Sequence, residues 1–222
     1  MNSILLFDLD GTLCHSEPGI QASLRAALKA LKYPNPTDAD IRRIIGPPFT
    51  EGLPRLGIRS EDVALVIETY REHYRAEGAF LTQVFEGIPS MLKLLREREV
   101  TMAVATSKPE ASAHPILDYL GLSDYFVVRA GATLDDSRSR KADVIAYALE
   151  SLSAQNPSSE HRNCLMIGDR NHDVLGAKVH GLPCVGVSYG YGDRDELLGA
   201  GAVDVVDSPA ALSRWLENWL QA

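Results

Sequence analysis

The sequence predicts an α/β fold: a Rossmann-like parallel sheet core with helices on both faces and a helical cap domain inserted after the first strand. Three observations predict it. Short apolar runs, often β-branched, alternate with segments of helical periodicity. Acidic or hydroxyl residues stand directly after several of those runs, at the sheet edge where open parallel sheets bind ligands. The first two runs are separated by about 90 residues of helical pattern, where a simple crossover needs only about a dozen.

Taken in order, residues 4–9 form the first strand. The insertion follows over residues 16–80, in which Ile20, Leu24, Ala27, Leu28 and Leu31 make one helical stripe. Short helices are expected over residues 38–45 and 50–56, broken by Gly46, Pro47 and Pro48. Val63, Val66, Ile67, Tyr70 and Tyr74 make a second stripe, with Ser60 as its cap. Strands are expected at 101–105, 125–130, 164–167 and 183–187, with a weaker one at 202–206. Helices are expected at 89–98, 109–120, 142–152 and 171–179. Pro89 and Pro109 suit first-turn positions, and Gly121 and Gly181 suit helix ends. Ser208 and Pro209 open a last helix with Leu212, Trp215, Leu216 and Trp219 on one face. The expected division is therefore a core of residues 1–15 and 81–222 and an inserted domain of residues 16–80.

Composition narrows the function. The 222 residues are 45% apolar and 23% charged, ordinary globular usage for one large domain. Lys and Arg number 22 against 30 Asp and Glu, and the net charge of -8 argues against a nucleic-acid binder. Cys14, Cys164 and Cys184 form no C-x-x-C pair, so neither a disulfide framework nor a zinc site is expected. No apolar run reaches the ~18 residues of a membrane span, and residues 4–7 are too few for a signal-peptide core. A soluble, cytoplasmic protein is expected.

The strand ends carry the chemistry. The first leads into Asp8-Leu9-Asp10-Gly11-Thr12, the second into Thr106-Ser107-Lys108-Pro109, and the fourth into Gly168-Asp169-Arg170-Asn171-His172-Asp173. Lys141 opens a helix beyond the third. Asp8 and Asp169 offer the hard oxygen ligands that Mg2+ takes. Thr106 and Lys141 can hold phosphate oxygens. A carboxylate can attack phosphorus to give an aspartyl phosphate, and a second carboxyl group two residues on, Asp10, can protonate the leaving alkoxide and later activate water.

In these motifs and their order the chain resembles the haloacid dehalogenase superfamily, and within it the phosphoglycolate phosphatase-like group. It is especially similar to the 5′-nucleotidase-like branch around Lys141-Ala142-Asp143-Val144-Ile145 and the stretch from Gly168 to Ala177. The resemblance implies Asp8 as nucleophile, Asp10 as general acid and base, and Thr106, Ser107 and Lys141 as phosphate-binding residues. It further implies Mg2+ held at Asp8, Asp10 and Asp169, with Asp173 behind them. The implied activity is a Mg2+-dependent phosphatase of small phosphorylated metabolites, phosphoglycolate or a nucleoside 5′-monophosphate, with no nucleic-acid or membrane partner, acting as monomer or homodimer. A phosphomutase of the same fold and a non-enzymatic phosphorylated switch are the alternatives; Asp10 argues against a dehalogenase. Two positions depart from the family pattern: His15 stands where an Asp is common, and Ser107 where an Asn is common.

Other motifs read as structural. Gly186-Val187-Ser188-Tyr189-Gly190 fits G-x-S-x-G, but no histidine follows His180 and no helix follows at once. His161, His172 and His180 lack zinc spacing. Cys14 reads as packing, Trp215 and Trp219 as anchors of the last helix, and Tyr70 and Tyr74 as core of the insertion. The segment from Gly46 to Gly52 is expected to screen the leaving group, with Phe49, Thr50 and Glu51 facing it and Phe49 and Glu51 binding substrate.

Overall fold

The structure is a computed structural model that describes residues 3–46, 48–135, 137–155 and 163–221; Pro47 and His161 lie outside the described residues. The chain begins with β1 (Ile4–Phe7) and β2 (Cys14–His15), then α1 (Glu17–Ala30), α2 (Asp38–Arg43), α3 (Phe49–Gly52) and α4 (Val63–Ala76). It continues through β3 (Gln83–Val84), α5 (Ile88–Glu97), β4 (Thr101–Pro109), α6 (Glu110–Tyr119), β5 (Val128–Ala132) and α7 (Lys141–Gln155). The last part is β6 (Cys164–Gly168), α8 (Asn171–Val179), β7 (Cys184–Val187), α9 (Arg194–Ala200), β8 (Asp204–Val206) and α10 (Pro209–Trp219).

Six strands form one sheet in the order β5-β4-β1-β6-β7-β8, and every pairing in it is parallel. The central strand, β1, is flanked by β4 and β6, from which the chain winds in opposite directions. Its carboxyl end is therefore the topological switch point, where parallel sheets leave a crevice. The strand period of two explains why the strands read as unbroken apolar runs. Leu5, Phe7, Val104, Leu165 and Ile167 pack one way, against α5, α6 and α10. Ile4, Leu6, Ala103, Ala105 and Met166 pack the other way, against α7, α8 and α9.

The α1–α4 segment is bracketed by β2 and β3, which pair antiparallel through Cys14↔Val84 and His15↔Gln83. The stripe on α1 buries Ile20, Leu24, Ala27 and Leu28, while Leu31 lies half-buried at the helix end. Gly19 lets α1 approach the turn at Gly78–Leu81 backbone to backbone, since a Cβ at residue 19 would lie 2.0 Å from the Gly78 carbonyl oxygen.

Several expected boundaries shift for local reasons. The first strand stops at Phe7 because Leu9 already accepts turn bonds from Thr12, Leu13 and Cys14. The third expected strand begins three residues later, at Val128, because Ser123–Tyr125 form a 3-10 turn whose Tyr125 ring lies under Arg96. Ser60 does not cap α4; it opens a 3-10 turn, and Asp62 precedes the helix. Pro109 closes β4, and α6 starts one residue on. Ser208 does cap α10, accepting from Ala211 N at 3.3 Å. The Trp215 indole N–H donates to Asp204 at 2.8 Å and fixes that helix on the edge strand. The expected strand at 202–206 is present as β8 and completes the sheet.

Gly19 and Gly199 test this packing in opposite directions. Gly19→Ala forces two backbones apart and should cost about 1–3 kcal/mol, lowering the melting temperature by several degrees. Gly199 lies in α9 with no atom within 4 Å of an added Cβ, so Gly199→Ala should leave stability unchanged or raise it by up to about 1 kcal/mol. Thermal denaturation of both variants checks the pair.

Candidate active site

The carboxyl ends of β1, β4 and β6 bring the expected residues together. Asp8, just past β1, is buried, and its Oδ1 lies 2.9 Å from the Lys141 ammonium. Lys141, the first residue of α7, also reaches Asp173 Oδ1 at 2.7 Å and donates to the Ala105 carbonyl at 3.0 Å. The three donors of that ammonium are thus all engaged. Its stem passes α8 because residue 176 is glycine; a Cβ there would lie 2.7 Å from Lys141 Cγ. Asp169 follows β6 and is fully buried; its Oδ2 accepts from Tyr191 N at 2.7 Å, while its Oδ1 has no hydrogen-bond partner among the described residues. Asp173 Oδ2 accepts from Arg170 N at 3.0 Å.

Asp8, Asp169 and Asp173 each present an oxygen within 4.8 Å of the others. This set could hold a metal ion, and the unpartnered Asp169 oxygen is suited to it. Asp10 is not part of it. Its carboxylate turns toward Lys108 Nζ, at 2.9 and 3.2 Å, so the structure places Asp173, rather than the Asp10 side chain, with Asp8 and Asp169. The reason is local: Gly11, at φ +84°, turns the chain, and Gly11 N donates back to the Cys14 carbonyl at 2.8 Å.

The electrostatics follow from burial. Loss of water raises Asp8 to about 6, Lys141 pulling against the rise and Asp173 adding to it. Burial, then Asp173 and Asp8, push Asp169 well above the carboxylate range. Burial also opposes the Lys141 charge, but Asp173 and Asp8 outweigh it and raise the ammonium above its usual value. Lys108 behaves alike, burial being outweighed by Asp10, Tyr74 and Tyr70. Asp8, Asp10, Asp169 and Asp173 face Lys108 and Lys141, while Arg170 beside Asp169 is matched by Glu196. Fully ionised, the six groups leave two negative charges, the charge of one divalent cation.

A cavity of about 460 Å³ opens over this edge and is lined by Asp8, Asp10, Thr106, Ser107 and Lys108 from the strand ends and by Phe49, Tyr70 and Tyr74 from the helical segment. The Thr106 hydroxyl accepts from Lys108 N at 3.2 Å. Tyr70 and Tyr74 pack into the core as expected, yet they also wall the cavity, stacked at 5.4 Å with Phe49 edge-on to Tyr70 at 4.7 Å. Thr50 lines the cavity beside Phe49; Glu51, expected with them, is exposed and absent from the lining. Successive residues of α3 step by about 100°, so residue 51 turns away from the face that Phe49 presents.

Two side chains tie the helical segment to the metal-type cluster. The Tyr191 hydroxyl accepts from Ser16 N at 2.9 Å and Glu17 N at 3.0 Å, at the start of α1, while the same residue's N–H holds Asp169. Arg170 donates through one guanidinium nitrogen to Glu196 at 2.9 Å and through another to the Ile45 carbonyl. His15 lies between the rings of Phe85 and Tyr191, at 6.0 and 6.4 Å, in the strip that joins β2 to the insertion.

Lys108 is the residue that sequence reasoning passed over. Its signal was its place two residues after Thr106, on the same side of a strand, as Asp10 stands to Asp8. The glycines after β7 carry a second missed role: a Cβ at residue 190 would lie 2.5 Å from Asp169, and one at 192 would lie 2.2 Å from its carbonyl. Ser188 in that stretch bonds the Val206 carbonyl at 3.3 Å, and α9 starts only at Arg194, so it forms no hydrolase elbow. Burial pushes the Cys14 thiol up, in keeping with packing.

Comparison with known proteins gives three kinds of relative. The haloacid dehalogenase-like hydrolase family profile matches residues 5–187. A protein named tyrosine-protein kinase PtkA, of Mycobacterium tuberculosis, is 43% identical over 192 residues, covering 86% of this chain and 64% of that protein. The chain thus spans just under two thirds of that relative's length. A 5′-nucleotidase of Pseudomonas aeruginosa is 38% identical over 215 residues, covering 96% of this chain and 95% of that one. The crystal structure of a predicted phosphatase from Clostridium acetobutylicum matches with a TM-score of 0.91 at 35% identity, covering 98% and 99% of the two chains.

The raised carboxyl groups would make cation binding at this cluster pH-dependent. An acid raised from 3.8 to about 6 favours the fold while protonated, and that contribution is lost as pH rises through about 6. A divalent cation competes with those protons. The thermal stabilisation by saturating Mg2+ should therefore be larger at pH 7 than at pH 5, several degrees for a binding contribution of about 2.7 kcal/mol. Equal stabilisation at both pH values would contradict a cation site on Asp8 and Asp169.

Proposed function

The chain belongs to the haloacid dehalogenase-like hydrolase family, and on that premise we propose that it is a phosphatase releasing inorganic phosphate from small phosphorylated metabolites through an aspartyl phosphate at Asp8. The observation that carries this reading is Asp8 itself: a buried carboxylate at the cavity floor, set on a buried lysine, with a second, solvent-reached carboxylate two residues away. Mg2+ suits the oxygen-only cluster. Held by Asp8 and Asp169 with Asp173 behind them, it would supply positive charge opposite the phosphoryl oxygens.

The chain's own groups do the rest. Lys141 keeps Asp8 ionised and aimed, and Thr106 offers a hydroxyl to the phosphoryl group. An Asp8 oxygen forms a bond to phosphorus as the ester oxygen departs, and Asp10 gives that oxygen a proton. Lys108 begins paired with the Asp10 carboxylate; an incoming phosphoryl dianion competes for the ammonium, and the released carboxylate takes up the solvent proton that it then gives to the departing oxygen. Water, deprotonated by Asp10, then attacks phosphorus, releases phosphate and restores the Asp8 carboxylate. The helical segment of residues 16–80 acts as a cap: Tyr70, Tyr74 and Phe49 surround the leaving group and exclude water. Phosphoglycolate and nucleoside 5′-monophosphates are the candidate substrates, the second also supported by the 38% identical relative's name.

The 43% identical relative carries a kinase name, and a phosphoaspartate could pass its phosphoryl group to another hydroxyl. Counting phosphate separates the two: hydrolysis gives one inorganic phosphate per p-nitrophenol released from p-nitrophenyl phosphate. Asp8→Asn should lower that rate more than ten-fold, a barrier increase above about 1.4 kcal/mol. Retention of more than a tenth of the wild-type rate would rule out covalent catalysis at Asp8.

A further inference from the structure

The cavity is built for more than a two-carbon alcohol. Its volume of about 460 Å³ falls within the ~300–1,000 Å³ that encloses ligands of drug size. Charge is concentrated at one side, on Asp8, Asp10 and Lys108, while Ile45, Phe49, Val63, Ile67 and Tyr70 supply an apolar wall. The wall owes its form to α4. Val63, Ile67, Tyr70, Arg71 and Tyr74 recur at helical spacing, so one stripe of the helix faces the cavity. Tyr74 marks the phosphoryl end, since Lys108 Nζ lies 4.7 Å from its ring centre.

One member of that stripe breaks its apolar character. Arg71 lines the cavity and is half-buried, and its guanidinium makes no ion pair or hydrogen bond among the described residues. It is the one arginine among the described cavity-lining residues. In a chain of net charge -8 an arginine of the same segment such as Arg42 is matched, by Glu17 at 2.8 Å. A guanidinium with a free fork, set in an apolar wall, is suited to a carboxylate or phosphate brought by a ligand.

We propose that the physiological substrate is a phosphomonoester whose alcohol carries both an apolar body and a second acidic group, the body lying along α4 and the acid meeting Arg71. This rests on the phosphatase reading but sets aside the two candidate substrates named with it, since a nucleoside 5′-monophosphate brings no second acidic group and phosphoglycolate no apolar body. Arg71 then determines specificity without touching the reacting phosphorus. Neither phosphoglycolate, which has the acid without the body, nor a plain alkyl phosphate, which has the body without the acid, satisfies both features.

Three alkyl esters test it: phosphoglycolate, 6-phosphonooxyhexanoate and hexyl phosphate, with wild type and Arg71→Met, which keeps an apolar stem. For the wild type, kcat/KM for the hexanoate should exceed that for each of the other two by ten-fold or more. Glycolate is intrinsically the better leaving group, so the comparison is weighted against the expected result. Arg71→Met should erase the preference for the hexanoate over hexyl phosphate, with an unchanged circular dichroism spectrum and melting temperature showing that the variant is folded. Three results would overturn the proposal: phosphoglycolate as best substrate, equal rates for the hexanoate and hexyl phosphate, or an acid preference that survives Arg71→Met. Absence of phosphate release from all three esters and from p-nitrophenyl phosphate would instead remove the phosphatase reading beneath it.

Discussion

A single buried ammonium, that of Lys141, holds the site together. Asp8, Asp169 and Asp173 are all removed from water at the end of the sheet. Carboxylates brought this close in a low-dielectric setting cannot all ionise without compensating charge. Lys141 supplies part of it at 2.9 Å from Asp8 and 2.7 Å from Asp173, and leaves Asp169 with an oxygen that has no hydrogen-bond partner among the described residues. The residual negative charge defines what must bind next. Under the proposed function a cation would complete the balance on one side, and the cavity wall bearing Arg71 would meet an anionic substrate on the other.

That arrangement dictates features far from the chemistry. Lys141 can lie where it does only because α8 carries Gly176 beside its stem, and Asp169 can be covered only because residues 11, 190 and 192 lack a Cβ. The same carboxylate cluster also reaches the helical insertion. Tyr191 holds Asp169 with its backbone and the first turn of α1 with its hydroxyl, and Arg170 extends from beside Asp169 to the Ile45 carbonyl. The walls of the cavity and the charges on its floor are therefore parts of one bonded unit.

The sheet was legible because its strands, buried on both faces, read as short apolar runs, and because Asp8, Asp169 and Lys141 stand at their ends or just past a loop. The long helical pattern after the first strand was equally plain. Other features left too little trace. Strands β2 and β3 have two residues each, too few for a period. Helix α9 has only seven residues, though Asp193 followed by Glu196 was a readable start signal, the Asp193 carboxylate accepting from Glu196 N at 2.8 Å. In the site, the division of labour between carboxylates was hidden. Asp8 and Asp10 look equivalent along a strand, and only the turn at Gly11 separates one onto Lys141 and the other onto Lys108. The position of Glu51 depended on where α3 begins, which the glycines and prolines around it obscured. Arg71 was silent in the sequence, because the role proposed for it comes from its place in the cavity and from the lack of a partner among the described residues.

The central claim is that Asp8, of all the carboxylates gathered there, forms the bond to phosphorus. Trapping tests it directly. Wild-type protein turning over p-nitrophenyl phosphate is quenched in acid and reduced with borohydride, which converts an acyl phosphate to an alcohol and leaves free carboxylates untouched. Peptide mass mapping then locates the modified residue. The account predicts reduction at Asp8 alone, dependent on substrate. Reduction at Asp10, Asp169 or Asp173, or none at any aspartate while turnover continues, would contradict it.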